Sequence, residues 1–305
     1  MKLSILIPAY NEQSSVEAVL RRVAAMDMAS VGASADLEII VVDDCSTDET
    51  TGILARLHGR PAESPGQGPP HTPLVSPGPA AATAPATPTA AATAIATAPP
   101  LPASQPAANH AQPRTRNSPP SPAIPGLRVI QHGHNQGKGA AIRTALAAAT
   151  GDYVIIQDAD FEYDPADIPR LLKPMIDGAA RVVYGARPLD GAGGRWLLDF
   201  GNRALTVITN LLYGTRLHDM ETCYKLLPTA LLRSFELECS RFDMEPEITA
   251  KVTRSGYRIH EVPIAYHPRA GGKKLSARKD GLPALQALLR YRTWFPKTPP
   301  PLPPR

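Results

Sequence analysis

Five short apolar runs, "LSILIP", "LEIIVV", "LRVIQ", "YVIIQ" and "RVVYG", alternate with segments of helical character along this chain. Their Ile, Val and Leu residues are nearly continuous and do not alternate with polar ones. That pattern predicts strands covered on both faces, as in a parallel sheet with helices packed on either side. Strand–helix alternation then predicts an α/β domain built on a doubly wound, mainly parallel sheet. In such sheets ligands bind beyond the carboxyl ends of the strands, so chemistry is expected in the residues directly after each run. The first helix is expected to start near Ser14 as N-cap.

The pattern is broken once. Residues 61–126, typified by "PGPAAATAPATPTAAATAIATAPPLP", hold about half of the 34 prolines of the 305-residue chain and almost no large apolar side chains. Such a stretch cannot bury enough surface to offset the entropy of ordering it, and predicts a disordered insertion with polyproline II character. Closure entropy grows only with the logarithm of loop length, so an insert of this size is tolerated within a domain. One domain is expected over residues 1–265, interrupted by residues 61–126. A basic amphipathic tail with a Pro-rich end is expected over residues 266–305.

From His267 onward there are nine Lys or Arg residues and one acid, Asp280, so this end carries +8 of a net charge of only +4. A basic end on an acidic body suggests an anionic partner, or a solvated tail. "GLPALQALLRYRTWF" places Leu282, Leu285, Leu288 and Leu289 near one helical face, beside Arg290 and Arg292 and before Trp294. That pattern suits a helix lying on an anionic membrane surface, and equally a helix docked on the protein's own body. Cys45, Cys223 and Cys239 show neither disulfide nor zinc spacing, which points to a reducing cytoplasm. No signal peptide is expected at "MKLSILIPAYNE". No apolar run reaches the roughly 18 residues of a membrane span.

The polar residues fall where the sheet rule puts them. Pro8, Tyr10, Asn11 and Glu12 follow the first strand, Asp43 and Asp44 the second, Asp158, Asp160 and Glu162 the fourth, and Arg187 the fifth. Crowded carboxylates repel one another unless a cation sits between them. Oxygen-only ligands suit Mg²⁺ or Mn²⁺, which usually leave part of the shell to substrate phosphates. A nucleoside diphosphate fits the remaining residues: Tyr10 to stack on a base, Asp44 to accept from base or ribose, and Arg187 to face the diphosphate. "GHNQGKGAA" is not a phosphate loop. Gly133 and Gly137 are one residue too close, and Gly139 stands where Ser or Thr belongs. It reads as a tight turn and helix start, with His132 and His134 as turn residues.

Taken together, "SILIPAYNE", "VVDDCSTDET", "NQGKGAA", "YVIIQDADFEYDP", "YGAR" and "EPEITAK…EVPI" resemble the inverting family-two glycosyltransferases of GT-A fold. Within that family they are most similar to dolichyl- or polyprenyl-phosphate sugar synthases. The resemblance implies a metal held by Asp158, Asp160 and Glu162. It implies nucleotide contacts at Pro8, Tyr10, Glu12, Val42, Asp44, Asp158 and Ala159, and a diphosphate contact at Arg187. It also implies a mobile cationic clamp at Arg269 and Lys274, with Lys273 as rival. The expected catalytic residues are Asp160, Arg187 and Asp219, the last as general base or for acceptor positioning. After Asp219 the family carries a Gly-Phe-Arg-like stretch. This chain reads Thr222, Cys223, Tyr224 and Lys225, which leaves the acceptor open.

The expected donor is a nucleoside-diphosphate sugar and the expected acceptor a polyprenyl phosphate, at the cytoplasmic membrane face. No nucleic-acid partner is expected. Two alternatives stand beside this reading: a soluble glycosyltransferase with a small-molecule or glycan acceptor, and a non-catalytic sugar-nucleotide-binding scaffold.

Overall fold

The computed structural model describes residues 1–31, 36–59, 122–188, 196–268 and 277–297, with backbone alone at 31, 196–200 and 277–280. The strands are β1 (Lys2–Ala9), β2 (Asp36–Asp43), β3 (Leu127–Gln131), β4 (Tyr153–Ile156), β5 (Val182–Ala186), β6 (Lys225–Pro228) and β7 (Ile259–Pro263). The helices are α1 (Val16–Ala24), α2 (Thr50–His58), α3 (Lys138–Ala148), α4 (Ile168–Ile176), α5 (Trp196–Tyr213), α6 (Thr229–Ser234), α7 (Met244–Arg254) and α8 (Ala277–Arg290).

The sheet has seven strands in the order β3-β2-β1-β4-β6-β5-β7. The five apolar runs are all strands, and every pairing is parallel except those of β6. Central strands are buried on both faces: Leu3, Ile5, Leu6, Ile7, Ile40, Val41, Val42, Val154 and Ile155 are at most 2% exposed. Each such side chain contributes roughly 1.5–3 kcal/mol by leaving water. The Ala-rich face of α3, with Ala141 and Ala145 fully buried, lets that helix lie close to the sheet.

β6 was not among the five sequence runs. It runs antiparallel between β4 and β5, pairing Ile155 with Leu226 and Tyr184 with Lys225. Its amino end therefore lies at the carboxyl ends of β4 and β5. Residues 219–224, which precede β6, are delivered to the same rim as the loops that follow the parallel strands.

Three places bear on the expected boundaries. Helix α1 starts at Val16, with Ser15 in the N-cap position. The Ser15 hydroxyl makes no cap bond and donates instead to the Ala159 carbonyl at 2.9 Å. Most of the Pro/Ala-rich stretch lies outside the described residues, but its last five do not. Ile124 is 6% exposed and its N–H donates to the Leu57 carbonyl at 2.9 Å, so packed structure resumes before residue 126. The third is at residue 266. Tyr266 bridges to Tyr163, and the His267 N–H donates to the Glu162 carbonyl at 2.9 Å, which ties this segment to the acidic loop after β4.

Helix α8 is docked on the body. Ala284, Ala287, Leu288 and Tyr291 are buried against α5 and α7, while Leu282 and Leu289 are exposed. The leucine stripe is thus divided between the core and solvent. Arg290 pairs with Glu238 and Lys297 with Glu236. Among the described residues no helix is long and apolar enough to cross a membrane.

Candidate active site

The loops after β1 and β2 are tied into one unit. Asn11, held at φ 55°, accepts through Oδ1 from the Thr47 N–H at 2.8 Å, and its own N–H donates to Ser46 Oγ at 3.0 Å. The Glu12 N–H donates to Thr50 Oγ1 at 2.8 Å. Tyr10 is 37% exposed on this rim. Pro8 and Val42 lie in adjacent strand positions, with the Val42 side chain wholly buried. The Ala159 carbonyl is occupied by Ser15.

Asp44 is engaged within the protein. Its Oδ1 meets His132 Nδ1 at 2.7 Å and accepts from the Gln136 N–H at 2.9 Å, while Oδ2 accepts from the Gly137 N–H at 2.7 Å. In this structure Asp44, the expected nucleotide contact, anchors the Gly-rich turn: three donors converge on a carboxylate only 3% exposed. His132, in the turn between β3 and α3, is buried and bridges Asp44 to Thr144 at 2.9 Å. Gly137 and Gly139 are needed for close approach. A Cβ on Gly137 (φ 95°) would lie 2.4 Å from the Ser240 carbonyl oxygen, and one on Gly139 would lie 2.5 Å from that of Cys239.

The three expected metal ligands are not gathered. Asp158 is paired with Lys138, whose Nζ lies 2.9 Å from Oδ1 and 3.2 Å from Oδ2. Asp160 accepts through Oδ1 from the Glu162 N–H at 3.1 Å, and Glu162 accepts from the Tyr266 hydroxyl at 3.0 Å. Among the described residues, no group of three His, Cys, Asp or Glu side chains is placed to hold a metal ion. Each carboxylate meets a donor of the protein itself.

Lys138 is a site residue that the sequence reading took for part of a helix start. Its ammonium also lies 2.9 Å from Glu245 Oε1, in the first turn of α7. Burial works against this charge, but Asp158 and Glu245 outweigh it and hold the ammonium well above its ordinary pKa. The Gly turn that presents Lys138 and the "EPEITAK" helix that presents Glu245 thus meet at the D-A-D loop.

Arg187 and Asp219 form the second clamp. Nε lies 2.6 Å from Oδ2 and Nη2 2.7 Å from Oδ1, and the Arg187 N–H also reaches Oδ2 at 3.2 Å. The guanidinium lies 5.9 Å from the Tyr163 ring centre and 5.3 Å from that of Tyr266. Asp219, expected as general base or for acceptor positioning, therefore has both oxygens on Arg187, the expected diphosphate contact. Two residues on, Glu221 is the opposite case. Its Oε1 is closed off from solvent and has no hydrogen-bond partner. Burial and then the charge of Glu245 raise its pKa from 4.5 to about 7, against the pull of Lys225 and Arg187. Lys225 is wholly buried and donates to the Met220 and Thr222 carbonyls at 2.8 and 2.5 Å. Arg269, Lys273 and Lys274 lie outside the described residues.

A mainly parallel sheet whose carboxyl rim carries a D-A-D loop and buried Lys and Arg clamps has the architecture of the GT-A enzymes. The chain belongs to glycosyl transferase family 2, whose profile matches residues 4–66 and 109–232.

A dolichyl-phosphate hexose transferase of Haloferax volcanii is 33% identical over 157 residues, which is 51% of this chain and 68% of that relative. The low-salt glycan biosynthesis hexosyltransferase Agl6 of the same organism is 28% identical over 171 residues, 55% of this chain. This chain spans only 41% of the length of Agl6. Among solved structures, glucosyl-3-phosphoglycerate synthase from Mycobacterium tuberculosis superposes with a TM-score of 0.58 at 18% identity, covering 97% of this chain and 81% of that one. Mannosyl-3-phosphoglycerate synthase from Rubrobacter xylanophilus gives 0.60 at 17%, covering 95% and 73%. At these identities the likeness is one of fold.

Proposed function

We propose that this chain transfers a hexose, with inversion, from a nucleoside-diphosphate sugar to a polyprenyl phosphate at the cytoplasmic membrane face. The observation that carries the proposal is the likeness to the dolichyl-phosphate hexose transferase, which extends over 68% of that relative. The exposed Leu282, Leu289 and Phe295 on and after α8 support a peripheral seat on a membrane. A lipid phosphate is already an anion near neutral pH and needs little help from a base. That agrees with a site in which Asp219 is committed to Arg187.

The all-oxygen donor set of the D-A-D loop fits Mg²⁺ or Mn²⁺, and the glucosyl-3-phosphoglycerate synthase is known in complex with Mn²⁺ and UDP. Asp160 and Glu162 would hold the ion, since Asp158 is paired with Lys138 and Mg²⁺ takes as few as one or two protein carboxylates. When bound, the ion supplies positive charge to the leaving diphosphate. Arg187, stiffened between two tyrosines and Asp219, adds a fixed positive charge nearby. The Lys138 ammonium orients Asp158.

A second reading, a small phosphorylated acceptor, is favoured by the solved relatives that bind phosphoglycerate. Both readings are tested by supplying UDP- and GDP-hexoses with Mn²⁺ and either polyprenyl phosphate or 3-phosphoglycerate, with products read by mass spectrometry. A hexosyl polyprenyl phosphate is expected, and a hexosyl phosphoglycerate alone would overturn the lipid reading. Asp160→Ala is expected to abolish transfer. Retained metal-dependent transfer in that variant would overturn the assignment of Asp160.

A further inference from the structure

Arg187 lies against the rings of Tyr163 and Tyr266, and the two hydroxyls go to different places. That of Tyr163 accepts from the Cys223 N–H at 3.1 Å, within the core. That of Tyr266 donates to Glu162 Oε2 at 3.0 Å, an acid of the D-A-D loop 104 positions earlier in the chain. Tyr266 is itself held from both sides. The Ile264 N–H donates to the Ala186 carbonyl at 3.0 Å and the Ala265 N–H to Asp167 Oδ2 at 2.7 Å. The His267 N–H donates to the Glu162 carbonyl, and the Tyr266 ring stands edge-on to that of Tyr163, with 5.6 Å between centres. The hydroxyl is therefore carried on fixed backbone. Glu162 in turn donates its N–H to Asp160 Oδ1 at 3.1 Å, so the contact reaches both acids proposed to hold the ion.

We infer that Tyr266 is a positioning residue: its hydroxyl presets the Glu162 carboxylate for the divalent ion, and its ring steadies the Arg187 guanidinium. One side chain then ties the acid that meets the ion to the cation that meets the diphosphate. This rests on the assignment of Glu162 proposed above. A glutamate side chain has much rotamer freedom to lose, and a ligand that must be frozen as the ion arrives binds it less well. A hydroxyl already on one carboxylate oxygen sets the orientation beforehand. Tyrosine suits the task because its hydroxyl is an uncharged donor, which orients the carboxylate without cancelling the charge that attracts the ion. That separates it from Lys138, whose ammonium pairs with Asp158. Loss of such a partner behind a metal ligand costs about ten-fold or more in affinity for the ion.

The experiment measures Mn²⁺ held on the protein, by water-proton relaxation, with UDP or GDP present, in wild type, Y266F, E162A and the double variant. With the diphosphate that wild type prefers, Y266F is expected to lose about ten-fold in Mn²⁺ affinity. E162A is expected to lose at least as much. Adding Y266F to E162A is expected to cost nothing further, because the hydroxyl acts through Glu162. Calorimetry without metal is expected to give Y266F the same affinity for the diphosphate as wild type, since its ring remains on Arg187. Wild-type Mn²⁺ affinity in Y266F, beside a loss in E162A, would overturn the inference and leave the assignment of Glu162 standing. The same Y266F loss in both backgrounds, or an equal loss of metal-free diphosphate binding, would also overturn it, since Tyr266 would then act on the fold at large. If E162A holds Mn²⁺ as wild type does, or wild type holds none, the assignment of Glu162 falls and the inference with it.

Discussion

Arg187 and Asp219 meet fork to fork, at 2.6 and 2.7 Å, with Arg187 7% exposed and Asp219 wholly buried. The pair joins the loop after β5 to the loop before β6, and the N–H groups of His218 and Asp219 tie it in turn to Glu261 at 2.9 and 3.0 Å. The acid expected as general base or for acceptor positioning is, in this structure, the partner that keeps a buried guanidinium in place. Its removal is therefore a question of stability before it is one of catalysis.

Asp219→Ala is expected to lower stability by about 3–5 kcal/mol, the usual cost of stranding one member of a buried pair. Chemical unfolding monitored by circular dichroism measures it. A loss under about 1 kcal/mol would mean that Arg187 finds solvent or another partner, and that the clamp is not rigid.

Lys138→Met leaves Asp158 and Glu245 without their shared cation. Stability is expected to fall by about 3 kcal/mol at neutral pH. Chemical unfolding of wild type and variant reads the effect, and a loss under about 1 kcal/mol would show that the two acids separate when the lysine is gone.

Glu221 has a pKa of about 7 in the fold against an ordinary 4.5, so the folded state binds its proton more tightly than the unfolded state. The resulting stabilisation is present in full below pH 4.5 and is lost as pH rises through 7. The Tm of wild type is therefore expected to fall relative to that of E221Q between about pH 5 and pH 8. Parallel Tm profiles over that window would show that Glu221 is ionised throughout.

Deleting residues 61–121 behind a short Gly-Ser linker is expected to leave transferase activity and Tm near wild type, because the stretch contains no core-forming pattern. Extending the deletion through residue 126 removes the buried Ile124, and is expected to cost about 2–4 kcal/mol. Equal unfolding midpoints for the two deletions would show that Ile124 adds nothing to the core.

Several features were determined by the sequence alone. The β-branched runs marked β1 to β5, since burial on both faces leaves no room for polar alternation. Acids and an Arg directly after those runs marked the rim. The order of the quoted motifs marked the family. Other features were decided only in three dimensions. Strand β6, "KLLP", is four residues long and has no periodicity to find; only its antiparallel insertion between β4 and β5 brings Asp219 and Glu221 to the rim. Asp44, Asp158 and Asp219 have the side chains of ligand-binding residues in the sequence. Each is engaged by a donor far along the chain: His132 for Asp44, Lys138 for Asp158 and Arg187 for Asp219. Local spacing carries no information about such pairings, because they depend on where the sheet places separate loops. The same holds for Glu221 and Glu245, 24 positions apart in number. An acid is visible in a sequence, but whether its oxygens are occupied or left open is set by the packing around it.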